Sequence, residues 1–310
     1  MKNKIFIALN YLVSAGLVWW LAKSFDFRAA LSGIGSADVR FILAAIVVSV
    51  LVRIIIYPSL WQDVLRSSGL VVKYADLLTV NAASLPLKFV MPFKISEVVR
   101  AAGLRIFGQM NFALALSSTI FLRLAVLIAT GIIFVGGMGL NPVRHLSADY
   151  SVEIGLIGLL LIFLYIDRLP DNFLGLGETI ERLIYCFKKT SDWQKIKLLG
   201  YSVLVQFGEI ISSFLIFRAL GLEINFFQTI YYVSLVMLVS MIPISVQGIG
   251  IRETAMVMGL VGVAGSQTGL AAGLLLTLIH HILPALVGGL VWILSSGSRL
   301  FGRTVVGEVM

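Results

Sequence analysis

The chain has 310 residues, of which 59% are apolar and 13% charged, and its mean hydropathy is +0.99. A soluble domain carries about 25% charged residues, so the composition excludes a water-soluble enzyme, a disordered chain and an ordinary nucleic-acid binder. The net charge of +8 then reads as cationic loops facing anionic lipid, and a single cysteine excludes a disulfide framework.

A bilayer core takes about 20 apolar residues per helix. The first such run is Ile5–Ala22, preceded by Lys2 and Lys4 and followed by Lys23-Ser24-Phe25-Asp26. It has no small-x-small cleavage site after it, so a retained helix is expected rather than a signal peptide. Full spans are predicted at Phe41–Leu60, Phe112–Gly137, Leu198–Leu220 and Thr268–Leu294, with a shorter one at Val152–Ile166. Two apolar stretches are broken. Leu77–Pro92 contains Pro86 and Pro92, and Phe226–Leu260 contains Pro243, Gly248 and Gly250. Proline removes a helix donor and glycine permits unusual backbone angles. Such backbone is tolerated at membrane depth only inside protein or beside water. Both stretches therefore read as re-entrant helical hairpins, about 77–106 and 226–263. The loop Asp167–Lys197 carries six basic and five acidic residues. It is expected to form an amphipathic helix on the cytoplasmic surface, with Phe187 and Trp193 dipping into the interface. Cys186, in the same loop, reads as a free thiol.

With the N-terminus inside and neither hairpin crossing, the inner segments hold 15 Lys and Arg against 5 outside, as the positive-inside rule requires. The expected fold is all-α and polytopic, a single membrane domain over 1–310. It has about six transmembrane helices and two re-entrant hairpins, with both termini inside. The order span, span, hairpin, span occurs twice, so about 1–140 and 150–296 are predicted to be halves of an inverted repeat. Interrupted segments at matching places in two such halves point to a transporter's binding site.

Charged side chains at membrane depth narrow the site. Arg53 and Arg123 lie 12 and 11 residues into their spans, roughly 16–18 Å from one end and close to the midplane. A central arginine costs at least about 2.5–3.5 kcal/mol to insert and normally faces a partner or water, snorkelling being the alternative. Glu97, Arg100, Gln247, Arg252 and Glu253 flank the hairpin tips. In one reading the two glutamates pair with Arg53 and Arg123. In the other, half-helix N-termini and arginines bind a phosphate. Both hold together if the carboxylates orient the arginines. Gln206 and Glu209 share one helix face, and Glu209 is expected to face the interior. Ser212 and Ser213 read as close-packing residues, Gly288 and Gly289 as helix contacts. Adjacent His280 and His281 point about 100° apart on a helix and make a poor metal pair. No phosphate-binding loop, zinc-protease or serine-hydrolase motif occurs, so no cofactor, metal or catalytic residue is expected.

Pro243-Ile-Ser-Val-Gln-Gly-Ile-Gly-Ile-Arg-Glu253, after a long apolar run, resembles the signature of the lysylphosphatidylglycerol synthase transmembrane family, also described as flippase-like. The family pattern is roughly Pro, a few residues, Gly-Gly-x-Gly-x-Arg-Glu, and Gln247 replaces its first glycine. Pro92-Phe-Lys-Ile-Ser-Glu97-Val-Val-Arg100 is similar to the family's Pro-x-Arg-x-Gly-Glu-x-x-Arg segment, with Lys94 for Arg and Ser96 for Gly. The resemblance covers about residues 5–295. It implies an inner-membrane protein that translocates lipids, here without the fused cytoplasmic synthase domain. Glu97, Arg100, Arg252 and Glu253 match motif positions; Arg53, Arg123 and Glu209 follow from depth alone.

The expectation is thus a lipid flippase or transporter, not an enzyme. It would carry a phospholipid or other phosphate-bearing lipid through a polar cavity between the hairpins. A membrane-embedded transferase acting on a lipid-phosphate, and a non-catalytic partner of a separate lipid synthase or glycosyltransferase, stay open as alternatives. A second copy of the chain and a lipid-modifying enzyme are further candidate partners; nucleic acid is not.

Overall fold

The structure, a computed structural model, describes residues 2–90, 96–108, 110–140, 151–168, 181–241, 245 and 248–296. These form helices and short connections, with no strand among the described residues. In chain order the helices are α1 (Lys2–Ser24), α2 (Phe27–Gly35), α3 (Val39–Ser67), α4 (Tyr74–Val90), α5 (Ser96–Phe107) and α6 (Phe112–Leu140). There follow α7 (Ser151–Tyr165), α8 (Tyr185–Lys189), α9 (Asp192–Ala219), α10 (Phe226–Met241), α11 (Ile251–Ala264) and α12 (Ser266–Leu294). Four of them, α3, α6, α9 and α12, are each 28 or 29 residues by span and apolar enough to cross a bilayer. The chain is an all-α, multi-pass membrane protein.

Local chemistry sets the helix starts. Asp26 accepts from the Arg28 and Ala29 amides and Asp38 from the Arg40 amide, which opens α2 and α3. Ser191 and Gln194 form a capping box at α9, and Asn225 and Gln228 exchange the same pair of bonds before α10. Each cap satisfies amides that the first turn leaves without a partner.

The broken stretches predicted at 77–106 and 226–263 each give two helices that pack on each other, α4 on α5 and α10 on α11. Their packing is reciprocal. The second arm of each pair lies on the long helix that follows it, α5 on α6 and α11 on α12. The first arm lies on the last long helix of the other half of the chain, α4 on α12 and α10 on α6. Helix α9 packs on α3 between them. Glycines make these approaches close, as small residues do between membrane helices. A Cβ at Gly288 would sit 2.6 Å from the Ala82 carbonyl oxygen, and one at Gly137 3.0 Å from the Tyr231 amide nitrogen. Gly288 and Gly289 are helix contacts, as expected.

One aromatic assignment is corrected. Phe187 does not dip into an interface: it is buried against Phe121 and Phe163, with ring centroids 4.7 and 5.7 Å away. Five-residue α8 sits against α6, where the Cys186 amide donates to Ser117 Oγ at 3.0 Å, and this turns Phe187 inward. Trp193 is exposed, as expected of an interfacial residue. Cys186 is a free, buried thiol.

Candidate functional site

Helices α3 and α12 both contain a π-helical segment, Leu51–Ile56 and Leu278–Ile282. A π segment misaligns carbonyls that an α-helix would satisfy, and it persists where neighbours supply donors. Here they do. Asn81 Nδ2 donates to the Arg53 carbonyl at 2.8 Å, Tyr74 Oη to that of Ile55 at 2.8 Å, and Ser49 Oγ to that of Ile279 at 3.1 Å. The segments deliver Arg53 and the two histidines into one cavity.

That cavity, about 180 Å³, has room for roughly six waters at about 30 Å³ each. Four arginines line it: Arg53 from α3, Arg100 from α5, Arg123 from α6 and Arg252 from α11. Glu97, Glu209, Gln206, His280 and His281 line it as well, among apolar side chains. Four permanent cations against two carboxylates make the lining suited to an anion.

The arginines differ in what holds them. Arg53 is paired with Glu209, Nε standing 2.8 Å from Oε1 and Nη2 donating to Oε2 at 3.0 Å. Glu209 Oε2 is also 3.2 Å from His280 Nδ1. Buried Arg100 is held by neutral groups: Nε donates to Ser84 Oγ at 3.2 Å, Nη1 to Tyr57 Oη at 3.0 Å and Nη2 to Asn81 Oδ1 at 3.0 Å. Arg252 Nη1 donates to Thr277 Oγ1 at 3.0 Å, and the Thr277 hydroxyl donates to Glu253 Oε1. Glu253 Oε2 accepts from the Gly250 amide at 2.7 Å, which caps α11. Arg123, half-buried, makes no hydrogen bond or ion pair among the described residues.

Two glycines shape the second tip. Gly248 and Gly250 have φ of +78° and +84°, a region that L side chains avoid. A Cβ on Gly250 would also lie 2.5 Å from Leu17 Cβ, so the tip is seated directly on α1. This gives the Gly-x-Gly spacing of the motif a backbone reason.

The structure therefore brings Arg53, Glu97, Arg100, Arg123, Glu209 and Arg252 to one cavity and sets Glu253 behind its wall; Gln247 lies outside the described residues. Two expectations are corrected. The hairpin glutamate Glu253 pairs with neither Arg53 nor Arg123. It is spent on the α11 cap and Thr277, while Glu209 takes Arg53. Ser212 is more than a packing residue: its hydroxyl oxygen lies 2.8 Å from the Ala45 carbonyl oxygen and 2.9 Å from His280 Nε2, within hydrogen-bond range of both. His280 and His281 both line the cavity, from the π segment of α12. Sequence reading missed Tyr57, Asn81, Ser84 and Thr277. Asn81 and Ser84 carried a signal, being polar inside an apolar stretch. Thr277 is the twelfth residue of α12, as Arg123 is of α6. No group of three or more His, Cys, Asp or Glu suited to a metal occurs among the described residues.

Helices of this length around a buried charged cavity define a multi-pass membrane protein. The sequence profile described as the lysylphosphatidylglycerol synthase TM region matches residues 7–288, and the chain belongs to that family. A comparison with curated proteins found no match.

Proposed function

We propose that the protein is a lipid flippase or transporter of the cytoplasmic membrane. It moves a phospholipid or other phosphate-bearing lipid, and it is not an enzyme. Membership of a lipid-linked membrane family supports a role in lipid metabolism or transport. The observation that carries the finer reading is the cavity with four arginines, of which Arg123 has no partner among the described residues. A guanidinium at mid-span is costly without a counter-charge or water, and a phosphodiester is the anion a bilayer supplies. In this reading α4–α5 and α10–α11 are re-entrant hairpins entering from opposite sides. Their reciprocal packing on α12 and α6 supports an inverted repeat of two halves, whose rocking would expose the cavity alternately. The headgroup sits among the arginines while the acyl chains stay in lipid.

Purified protein in phosphatidylcholine vesicles, carrying fluorescent phosphatidylglycerol read by dithionite quenching, tests this. Wild type is expected to accelerate translocation, and the Arg123→Ala, Arg252→Ala double variant to lose most of the gain. Equal rates for the two proteins would sink the assignment.

A further inference from the structure

The Arg53–Glu209–His280 cluster has a property beyond anion binding: its heavy atoms fit two complete hydrogen-bond patterns that differ by one proton. Glu209 Oε2 is 3.2 Å from His280 Nδ1, and His280 Nε2 is 2.9 Å from Ser212 Oγ. If the Ser212 hydroxyl donates to the Ala45 carbonyl oxygen, 2.8 Å away, Ser212 Oγ must accept from Nε2–H. A neutral ring then turns the Nδ1 lone pair toward Glu209, and a further proton is needed between them. If Ser212 instead donates to Nε2, a neutral ring donates Nδ1–H to the carboxylate and the extra proton is absent. The Ala45 carbonyl belongs to a helix and keeps its own amide partner in that case. Rotation of one hydroxyl therefore switches the cluster between loaded and unloaded forms with no movement of the backbone.

The cluster sits where occupancy of the cavity can be felt. Arg53 and His280 come from the two π segments, and Glu209 lies between them on α9. Arg252 from α11 and Arg123 from α6 face the same space, with Glu97 and Arg100 from α5 and His281 beside His280. A phosphate that draws the Arg53 guanidinium away leaves Glu209 as a buried carboxylate without its permanent counter-charge, the arrangement that costs most.

We propose that this cluster couples lipid movement to protons, one proton entering the Glu209–His280 pair for each singly charged phosphate headgroup bound. The inference rests on the flippase reading above. In the empty site Arg53 is +1, Glu209 −1 and His280 neutral. With lipid, Arg53 faces the phosphate (−1), and a proton from the same aqueous side resides between Glu209 and His280. Loaded and empty sites thus carry equal charge, and the carrier cycle is electroneutral. On release at the other face the proton leaves with the lipid and Arg53 returns to Glu209. No bond other than those to the proton is made or broken.

The same vesicles separate the two claims. Translocation without any gradient reads the flippase assignment. Leaflet distribution under a gradient reads the coupling. A gradient of one pH unit is expected to drive fluorescent phosphatidylglycerol toward about tenfold enrichment in the alkaline-side leaflet, while a potassium–valinomycin potential has no effect. Protein-free vesicles set the background. Glu209→Gln is expected to bring the ratio of leaflet populations to 1, and Ser212→Ala, which removes the rotating hydroxyl behind the cavity, to lower it if Glu209→Gln does not fold. Detergent-solubilised wild type should also take up one proton per dioctanoyl phosphatidylglycerol bound, read with a pH dye in weak buffer. Translocation with an even distribution under the pH gradient, or lipid binding without proton uptake, overturns the coupling and leaves the flippase reading standing. A wild type that neither binds nor moves the lipid overturns both.

Discussion

Glu209 grips Arg53 at two points across 156 residues of sequence, Nε lying 2.8 Å from Oε1 and Nη2 donating to Oε2 at 3.0 Å. The Nε contact lies off the N–H axis, so the attraction there is Coulombic, and Nη2 makes the aligned hydrogen bond. The pair ties α3 to α9, two long helices that pack on each other. Removing one partner of a buried pair strands the other and costs about 3–5 kcal/mol. Arg53→Ala and Glu209→Ala are each expected to lower the thermal unfolding temperature in detergent by far-UV circular dichroism. The double variant should lose less than the sum, with a coupling of about 0.5–3 kcal/mol. Strict additivity would show that the pair adds nothing.

Arg123 and Arg100 line the same cavity and are expected to respond oppositely. Arg123 has no partner among the described residues, so Arg123→Ala should leave the unfolding temperature unchanged. It should weaken binding of an anionic lipid by about 10- to 100-fold, the worth of one charge-assisted hydrogen bond of about 1.5–3 kcal/mol. Arg100 uses three nitrogens on Ser84, Tyr57 and Asn81 and lies 4.8 Å from the Tyr57 ring centroid. Arg100→Ala should therefore destabilise the fold, and Arg100→Lys should not rescue it, because an ammonium lacks the planar fork. Lipid titration and thermal unfolding on the same preparations separate the two effects.

The contrast between these arginines marks how far the sequence carries. The Gly248–Gly250 pair announced the broken second stretch, whereas α4 runs unbroken through Pro86, and the depth of Arg53 and Arg123 announced charged side chains that need an interior. Those signals are local: each is a residue type in conflict with its apolar surroundings. The Arg53–Glu209 pairing and the neutral cage of Arg100 join residues distant in sequence, and no spacing within one helix encodes them. The π segments were also hidden. Leu51–Ile56 reads as an ordinary apolar run, and its widened backbone depends on donors from Asn81 and Tyr74 on another helix. Phe187 misled because it stands beside Lys188 and Lys189 and so looks interfacial, whereas tertiary packing turns it inward.

Gly250 offers a test of the seat between the second tip and α1. Its φ of +84° strains any L residue, at about 1–3 kcal/mol, and its missing Cβ faces Leu17 at 2.5 Å. Gly250→Ala should lower the unfolding temperature, and Leu17→Ala in the same chain should not recover it, because alanine keeps the Cβ that the new methyl group would meet. At Gly262 an added Cβ would meet nothing within 4 Å, so Gly262→Ala on helix α11 should be neutral or stabilising by up to about 1 kcal/mol. Equal losses at the two glycines would contradict the seat.

Phe187 and Trp193 flank the start of α9 and should part company. Phe187 is 1% exposed within an aromatic cluster, and truncation of such a residue costs about 3–5 kcal/mol. Trp193 is 64% exposed, with Lys197 Nζ 5.2 Å from its ring centroid. Phe187→Ala is expected to lower the unfolding temperature sharply, and Trp193→Ala to leave it within the small range typical of surface changes, about ±0.5 kcal/mol. A large loss at Trp193 would place it inside a contact rather than at a surface.

Cys186 gives the fold a pH dependence with a definite sign. Burial pushes its thiol above the ordinary value of 9.0, against weaker opposing hydrogen bonds from Ser68 and Ser117. A raised value in the folded state favours the protonated form, so the stabilisation is intact below pH 9 and is lost as the pH climbs toward the folded value. The unfolded chain releases the thiol proton first, and the slope approaches about 1.4 kcal/mol per pH unit. Between pH 8 and pH 10, wild type is therefore expected to lose more stability than Cys186→Ala. Taking the difference between the two proteins cancels the lysines and tyrosines that titrate in the same window. Below pH 9 the folded thiol should also react slowly with maleimide and quickly once unfolded, since the thiolate is the nucleophile. Fast labelling of the native protein would show that Cys186 is reached by solvent and that α8 does not stay docked on α6.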